Sequence, residues 1–176
     1  TVYGVGQFGQ STGVFYNKKK LADAGIDPAS LTTWDDFQAA VLKLRDALPK
    51  DEPVVTIGNL DGYAIVHAWG MFQGASSTNP QSIRDWVFQA DGATFDNAEN
   101  IAALKQLQDW VNAGVFGTDY NAVNENDAAA AFAKGQGAFL MGGNWQAGVV
   151  KDGLGADAGF MNGPPGVSGK YIAIGS

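Results

Sequence analysis

The sequence lacks cysteine entirely and contains a single histidine, His67. The absence of cysteine excludes disulfide bonds, thiolate catalysis and cysteine-ligated zinc or iron sites. With one histidine and no thiolate, a metal site would have to consist almost wholly of carboxylates. His67 lies in the middle of an apolar stretch of helical type, which favours a hydrogen-bonded core residue over a catalytic base.

Long apolar runs are also missing, because no stretch approaches the ~20 residues that a membrane-spanning helix needs. The chain begins Thr-Val-Tyr-Gly, without Met and without the charged and apolar regions of a signal peptide. We therefore expect a chain that has been processed or cut from a longer protein.

Basic residues are few: 11 Lys and Arg stand against 18 Asp and Glu, which gives a formal net charge of −7. This balance argues against nucleic acid or an anionic membrane as a partner. Glycine, by contrast, is abundant at 24 residues, about twice the usual share, and predicts many turns. The 176 residues are enough for one domain with a real core.

Hydrophobic periodicity predicts strands that alternate with helices, and hence an α/β fold with helices covering the faces of a central sheet. The strongest helix starts at Thr33, with Asp36 three residues on in a capping-box arrangement. An apolar stripe at spacings of three and four follows, and we expect its members in the core. The stripe comprises Trp34, Phe37, Val41, Leu44 and Leu48.

The remaining elements follow from the same signals. Further helices are predicted over Lys18–Ala24, Tyr63–Phe72, Ala98–Ala113 and Glu125–Lys134. Strands are predicted over Val2–Val5, Gly13–Asn17, Val54–Ile57, Ala138–Met141 and Lys170–Ile174. Predicted caps are Asp96 with Glu99, and Asn124. The helix after Asp96 is expected to carry Ile101, Leu104, Gln108 and Val111 on one apolar face, with Leu107 beside them, and Trp110 of the same helix is also a candidate for the core. Ala75–Gln81 reads as loop, and Ser82–Gln89 fits helix and strand equally well.

Two turn segments are candidates for one ligand-binding rim, because ligands of open α/β sheets bind at the carboxyl ends of the strands. They are Gly58–Tyr63 and Gly142–Trp145. We expect Gly142 and Gly143 to adopt backbone angles closed to other residues and to let a ligand approach the main chain. Trp145 offers a flat apolar face and one polar N–H, a combination that suits a sugar. The local pattern fits a sugar platform and a structural turn with a buried Trp145 equally well.

Other motifs match known chemistry only in part. Gly4–Gly9 has the spacing of a dinucleotide fingerprint, but a strand-type run follows it where the fingerprint needs a helix start. The acidic stretch Asp119–Asp127 suggests calcium, but its spacing fails the EF-hand pattern, and Glu125 and Asp127 fit helix-dipole stabilisation just as well. Ser11 and Ser168 lack a nucleophile-elbow context, and no carboxylate pair stands out for glycoside hydrolysis.

Several segments carry a resemblance when they are taken in order. Gly13–Lys18 reads Gly-Val-Phe-Tyr-Asn-Lys, and Thr33–Phe37 reads Thr-Trp-Asp-Asp-Phe. Ala131–Met141 reads Ala-Phe-Ala-Lys-Gly-Gln-Gly-Ala-Phe-Leu-Met, a Gly-x-Trp begins at Gly143, and Asp96–Gly114 supplies a further helix. In order and spacing these segments resemble the extracellular solute-binding proteins of carbohydrate ABC importers, over nearly the whole chain.

That resemblance implies a periplasmic-binding-protein-like fold of two α/β lobes with the sugar held between them. Residues 1–176 would then form a single lobe, the C-terminal one, without the N-terminal lobe. The resemblance implies no catalysis, no metal and no cofactor. Its implied partners are a carbohydrate, the permease subunits of an ABC importer and the other lobe, and its implied location is extracytoplasmic, in the periplasm or at the cell surface.

The resemblance also implies which residues contact the sugar. Tyr63 and Trp145 match aromatic sugar platforms, and the other candidates match polar contacts or the chain beside them. The expected set is Gln10, Asn59, Asp61, Tyr63, Gly143, Asn144 and Trp145. The alternative is a carboxylate-based glycoside hydrolase or a lectin-like domain, and the identity of the sugar stays open.

Overall fold

The computed structural model describes residues 9–79, 81–90 and 92–170 of the chain. Four strands, β1 (Thr12–Asn17), β2 (Val55–Thr56), β3 (Phe139–Gly143) and β4 (Ala158–Met161), form one sheet in the order β2-β3-β1-β4. Strand β1 is antiparallel to both β3 and β4, whereas β2 and β3 are parallel. The predicted strand Val2–Val5 lies outside the described residues. The same holds for residues 4–8 of the Gly4–Gly9 motif and for residues 171–174 of the predicted final strand.

Seven α-helices lie in the described part of the chain, together with three short 3-10 turns, at Pro28–Ser30, Asn144–Gln146 and Gly155–Asp157. The helices are α1 (Lys18–Asp23), α2 (Trp34–Ala47), α3 (Ile65–Ser76), α4 (Gln81–Val87), α5 (Ala98–Asn112), α6 (Glu125–Ala133) and α7 (Ala147–Leu154). None of the helices in these ranges is both long and apolar enough to cross a membrane. The mixed sheet with its helices confirms the predicted α/β class.

Local side-chain caps explain where three of the helices begin. The capping box at the start of α2 is present, with Thr33 and Asp36 each bonded to the other's backbone N–H, as predicted. Asn124 accepts from Asp127 N at 2.9 Å and caps α6, also as predicted. At α5 the predicted cap is wrong, because Asn97 rather than Asp96 accepts the first free N–H.

Several element boundaries differ from the prediction. Helix α3 begins at Ile65 rather than at Tyr63, and β2 comprises only Val55–Thr56. Helix α3 continues to Ser76, so the loop begins two residues later than the predicted start at Ala75. The ambiguous stretch Ser82–Gln89 is largely helical, within α4. Strand β3 runs on through Gly143, because that glycine still pairs with Thr12 of β1.

The core consists of two clusters, one on each face of the sheet. Side chains alternate between faces along a strand, and accordingly Val14 belongs to the larger cluster while its neighbour Phe15 belongs to the smaller one. Phe139 and Leu140 of β3 divide in the same way. Both faces of the sheet are therefore covered, as predicted. The centre of the larger cluster is an aromatic group of Trp34, Phe37, Phe72 and Trp110.

The predicted core face of α5 is wrong. Its apolar members are exposed instead, at 56% for Ile101, 45% for Leu104 and 37% for Val111, and Gln108 is exposed as well. The buried face is set by Trp110, whose ring lies 4.8 Å from that of Phe72. Helix α5 therefore turns its bulkiest side chain inward, although the aliphatic spacing predicts another face.

Candidate functional site

An open cleft lies where the parallel strands β2 and β3 end. The carboxyl ends of parallel neighbours meet at one edge of a sheet, so the segments that follow them are brought together as predicted. The cleft has a volume of about 470 Å³. Three predicted site residues line it, namely Gln10, Tyr63 and Trp145.

Other lining residues of this cleft were not in the predicted set: Thr12, Val66, His67, Glu125 and Asn126. The rings of Tyr63 and Trp145 remain accessible within it, with 51% and 40% of each residue exposed. An accessible ring face beside polar groups suits a ligand with an apolar face and a polar edge.

Trp145 lies directly against the backbone of Gly143. A Cβ built on Gly143 would come 1.9 Å from the Cζ3 atom of the indole, and one on Gly142 would come 1.9 Å from Oε1 of Gln146. The backbone of Gly143 is extended, at φ −119°, and Gly142 is not in the left-handed region either. The expectation of special backbone angles is therefore wrong, because the glycines are needed for the space they leave to the side chains of Trp145 and Gln146.

Glu125, the first residue of α6, holds the two aromatic residues of the cleft. Its Oε2 atom accepts a hydrogen bond from the hydroxyl of Tyr63 at 2.8 Å. Its Oε1 atom accepts from the indole N–H of Trp145 at 3.2 Å and from Nε2 of Gln146 at 3.0 Å. The free N–H groups at the start of a helix also stabilise a negative charge there. The hydrogen bond to Glu125 raises the pKa of Tyr63, with burial contributing in the same direction.

The sequence did not identify Glu125 as a site residue. An acidic residue at the first position of a helix is common for electrostatic reasons alone, so its type and place carry no signal for a shared acceptor. The neighbouring pair Trp145-Gln146 offers only a retrospective hint, since both side chains donate to the same carboxylate oxygen.

His67 lies between the aromatic residues rather than in the apolar core. Its ring centroid is 5.4 Å from that of Trp145 and 6.4 Å from that of Tyr63. The Nε2 atom is buried, has no hydrogen-bond partner among the described residues, and lies 3.6 Å from Oε1 of Glu125. Burial lowers the pKa of His67, and the charge of Glu125 opposes that effect in part. The prediction of a hydrogen-bonded core histidine is therefore wrong.

Asn59 and Asp61, both in the predicted set, do not line the cleft. The Oδ1 atom of Asn59 accepts from Ile65 N at 3.0 Å at the start of α3, and its Nδ2 donates to Asn121 at 2.8 Å. Asn59 thus fixes the loop that carries Tyr63. Asp61 is exposed on the turn of that loop, and its charge adds to the rise in the pKa of Tyr63.

Asn144 connects the end of β3 to the chain segment that carries Gln10. Its backbone N–H donates to Ser11 O at 3.0 Å, and its Oδ1 accepts from Ser11 N at 3.3 Å. Its Nδ2 reaches the carbonyl oxygen of Gly9 at 3.4 Å. These contacts bracket Gln10, so Asn144 supports the side of the cleft that Gln10 lines.

The acidic stretch considered for calcium does not point to one centre. Asp119 accepts from its neighbour Thr118, Asp127 accepts from Asn124, and Glu125 turns into the cleft. Across residues 9–79, 81–90 and 92–170, no group of three or more Asp, Glu or His side chains is arranged to hold a metal.

A second cleft, of about 540 Å³, lies beside the start of α2. Its aromatic lining residue is Trp34, which is buried in the core and donates its indole N–H to Gln106 at 3.2 Å. No accessible ring face is available from Trp34, so this cleft lacks the platform that distinguishes the first one.

Comparisons with known proteins identify the family of this chain. A sequence model of the family described as bacterial extracellular solute-binding protein matches residues 1–175. The chain belongs to this family. The resemblance seen in the sequence is thereby confirmed, and the family is one that is described as extracellular.

Individual relatives of this solute-binding chain bind sugars according to their names. The arabinooligosaccharide-binding protein of Halalkalibacterium halodurans is 30% identical over 109 residues, which are 62% of this chain and 22% of that protein. The structure of a chitin oligosaccharide binding protein matches 99% of this chain and 43% of its own with a TM-score of 0.84 and 25% identity. Maltose-bound MalE3 of T. maritima shares the fold at a TM-score of 0.77 and 19% identity, over 99% of this chain and 44% of its own. The chain thus spans less than half the length of these relatives.

Proposed function

We propose that this chain is one lobe of a carbohydrate-binding protein that delivers an oligosaccharide to an ABC permease outside the cytoplasm, without catalysis. The observation that carries the proposal is the pair Tyr63 and Trp145, two accessible aromatic side chains that donate to one carboxylate at the end of parallel strands. The names of the relatives, which refer to arabinan-derived, chitin-derived and maltose-type sugars, support a carbohydrate ligand.

In this proposal the predicted residues have different tasks. Tyr63 and Trp145 present ring faces to the sugar, Gln10 offers a polar contact, and Gly143 leaves room for the indole. The remaining predicted residues are Asn59, Asp61 and Asn144. Asn59 and Asn144 fix the loops that carry the contacts, and Asp61 contributes charge at the rim.

The energetics of such a site are modest. Covering roughly 60–100 Å² of the Trp145 ring with a sugar face contributes about 1.5–2.5 kcal/mol at about 25 cal/mol per Å². A second ring and a few hydrogen bonds raise the gross gain to several kcal/mol before the cost of association is subtracted. We therefore expect this chain alone to bind with a Kd no better than about 1 mM, near −4 kcal/mol.

Tight capture in this proposal requires a second lobe that closes over the sugar. The chain covers 43% of the chitin oligosaccharide binding protein that it matches, which leaves ample room for another lobe in such a protein. Hinge closure of two lobes around a ligand removes the sugar from water and adds a second set of contacts. The permease and the periplasmic or cell-surface location belong to that complete assembly.

The proposal is tested by ligand-observed NMR with a panel of chito-, arabino-, xylo- and malto-oligosaccharides against this chain. We expect saturation transfer from the protein to at least one of these sugars, with the strongest transfer to the protons on one ring face. The same mixtures are analysed by chromatography after long incubation, and we expect the sugars to remain intact.

Two results would contradict the proposal. If the chain is correctly folded and no sugar of the panel shows saturation transfer, the proposal that its ligand is a carbohydrate is wrong. Hydrolysis of a glycosidic bond by the purified chain would replace delivery by catalysis, for which two facing carboxyl groups about 5–10 Å apart are required.

A further inference from the structure

The cleft brings together one buried carboxylate and no cation. Glu125 is buried and lines the cleft, and none of the described lining residues is Lys or Arg. The whole chain carries a formal net charge of −7, so the long-range field has the same sign. An anion that enters this cleft meets a negative charge at short range, and no Lys or Arg among the described lining residues offsets it.

The hydrogen-bond donors nearest to that carboxylate are already engaged. The hydroxyl of Tyr63, the indole N–H of Trp145 and the amide of Gln146 all donate to Glu125. A ligand carboxylate needs such donors, or a cation, to replace its water. If a ligand took these donors away from Glu125, the buried carboxylate would lose its hydrogen-bond partners, at a high cost in free energy.

An uncharged hydroxyl fits the same place. Oε2 of Glu125 accepts one hydrogen bond from the described residues, from Tyr63, and a carboxylate oxygen has two lone-pair sites. A sugar hydroxyl can therefore donate to Glu125 while its ring lies on Trp145 or Tyr63. His67, which lies 3.6 Å from Glu125, adds no positive charge near neutrality, because burial lowers its pKa.

We propose that the cleft selects sugars by charge: it accepts uncharged oligosaccharides and rejects those that carry a carboxylate, with Glu125 as the selecting residue. This inference rests on the proposed function and adds a ligand class to it. Glu125 thus has two tasks, since it also positions the rings of Tyr63 and Trp145.

The test compares matched sugars. N,N′-diacetylchitobiose, maltose and cellobiose are each titrated into the 15N-labelled chain beside the counterpart in which one primary hydroxyl is oxidised to a carboxylate. The indole N–H signal of Trp145, assigned with Trp145→Phe, reports binding. We expect the acidic partner to bind at least about tenfold more weakly than its neutral parent at low salt. We also expect the difference to shrink only in part at about 1 M salt, since screening removes the long-range repulsion but acts much less on the buried charge of Glu125.

Two variants separate charge from structure. Glu125→Gln keeps the size and one acceptor but removes the charge, and we expect the ratio of neutral to acidic affinity to fall to within about threefold. A purely structural role would weaken both sugars alike and leave the ratio unchanged. Asp127→Asn changes the net charge equally, two residues further along α6 and outside the cleft lining, and should preserve the wild-type ratio.

The outcomes distinguish the two proposals. Equal binding of a neutral sugar and its acidic counterpart to the wild-type chain would overturn charge selection and leave the carbohydrate-binding function standing. An unchanged ratio in Glu125→Gln would remove Glu125 as the selecting residue. Absence of any shift of the Trp145 signal with every neutral sugar, the arabino- and xylo-oligosaccharides of the wider panel included, would overturn both proposals together.

Discussion

The indole N–H of Trp145 donates to Glu125 Oε1 at 3.2 Å, so the ring that follows β3 is anchored to the first residue of α6. The two residues are 20 positions apart in the sequence and belong to different elements. A ring that is held by its N–H at one edge and by a glycine beneath it has little freedom to rotate. This preorganisation lowers the entropy that a ligand must remove on binding.

The contact between Gly143 and Trp145 predicts the effect of a single methyl group. In Gly143→Ala the new Cβ would lie within 2.3 Å of three indole carbons, so the ring has to leave its position. We expect sugar affinity to fall at least about tenfold and the free energy of unfolding to fall by about 1–3 kcal/mol. Titration of the indole signal and urea denaturation measure the two effects.

Gly148→Ala is the matched control for this prediction. Gly148 lies in α7, and a Cβ at this position meets no atom within 4 Å. Its sugar affinity should equal that of the wild type, and its stability should be unchanged or raised by up to about 1 kcal/mol. If Gly143→Ala behaved like Gly148→Ala, the packing of the indole on the glycine would not matter for binding.

His67 predicts a dependence of stability on pH. Its pKa in the folded chain is lowered from the ordinary 6.5, chiefly by burial, so the unfolded chain binds the proton more readily. The contribution of neutral His67 is fully present above about pH 6.5 and is lost as the pH falls towards the lower folded pKa. Urea denaturation between about pH 7.5 and pH 5 should therefore show a decline that is smaller in His67→Gln. A constant difference between the two proteins over this range would contradict the lowered pKa.

Arg45 predicts a large effect on stability away from the cleft. The side chain is buried, and its guanidinium donates to backbone carbonyl oxygens that follow α2 or lie near it. The acceptors are Leu48, Pro49, Glu52 and Gly114. Arg45→Ala leaves these carbonyl groups without a donor and opens a cavity, so we expect a loss of about 2–4 kcal/mol in the free energy of unfolding.

Lys43→Ala provides the comparison for Arg45. Lys43 lies on the exposed side of the same helix and makes one hydrogen bond, to Ala24 O at 2.9 Å. We expect this variant to stay within about 0.5 kcal/mol of the wild type. Arg45→Lys should remain clearly destabilised, because a lysine cannot donate in the fork that a guanidinium offers. Equal stability of Arg45→Ala and Lys43→Ala in a denaturant titration would contradict this account.

Much of the fold could be predicted because local signals agree with the tertiary structure. Thr33 and Asp36 form a capping box that four consecutive residues of the sequence are enough to predict. The apolar stripe that begins at Trp34 faces the core, as its spacing predicts. The parallel pairing of β2 and β3 also brings the two predicted rim segments to one edge. Helix α5 shows the limit, because burial of Trp110 outweighs the aliphatic stripe that includes Leu104.

The site was predictable in part for the same reason. Trp145 lies two residues after β3, and Tyr63 lies in the connection between β2 and α3, so both reach the rim through segments that follow the parallel strands. Glu125 was not predictable, since its contacts with both residues depend on how α6 packs beside β3. His67 was assigned to the core because its neighbours in the sequence are apolar, and they do not indicate that this face of α3 borders a cleft.

The most direct test of the account is the affinity of the best-binding neutral oligosaccharide for the wild-type chain and for Trp145→Ala, measured by NMR titration under identical conditions. Phe88→Ala serves as the control, because Phe88 is a highly exposed aromatic residue outside the cleft lining. We expect Trp145→Ala to bind at least about tenfold more weakly, because about 1.5–2.5 kcal/mol of ring contact is lost, and we expect Phe88→Ala to match the wild type. Wild-type affinity in a folded Trp145→Ala chain would contradict the claim that Trp145 is the sugar platform.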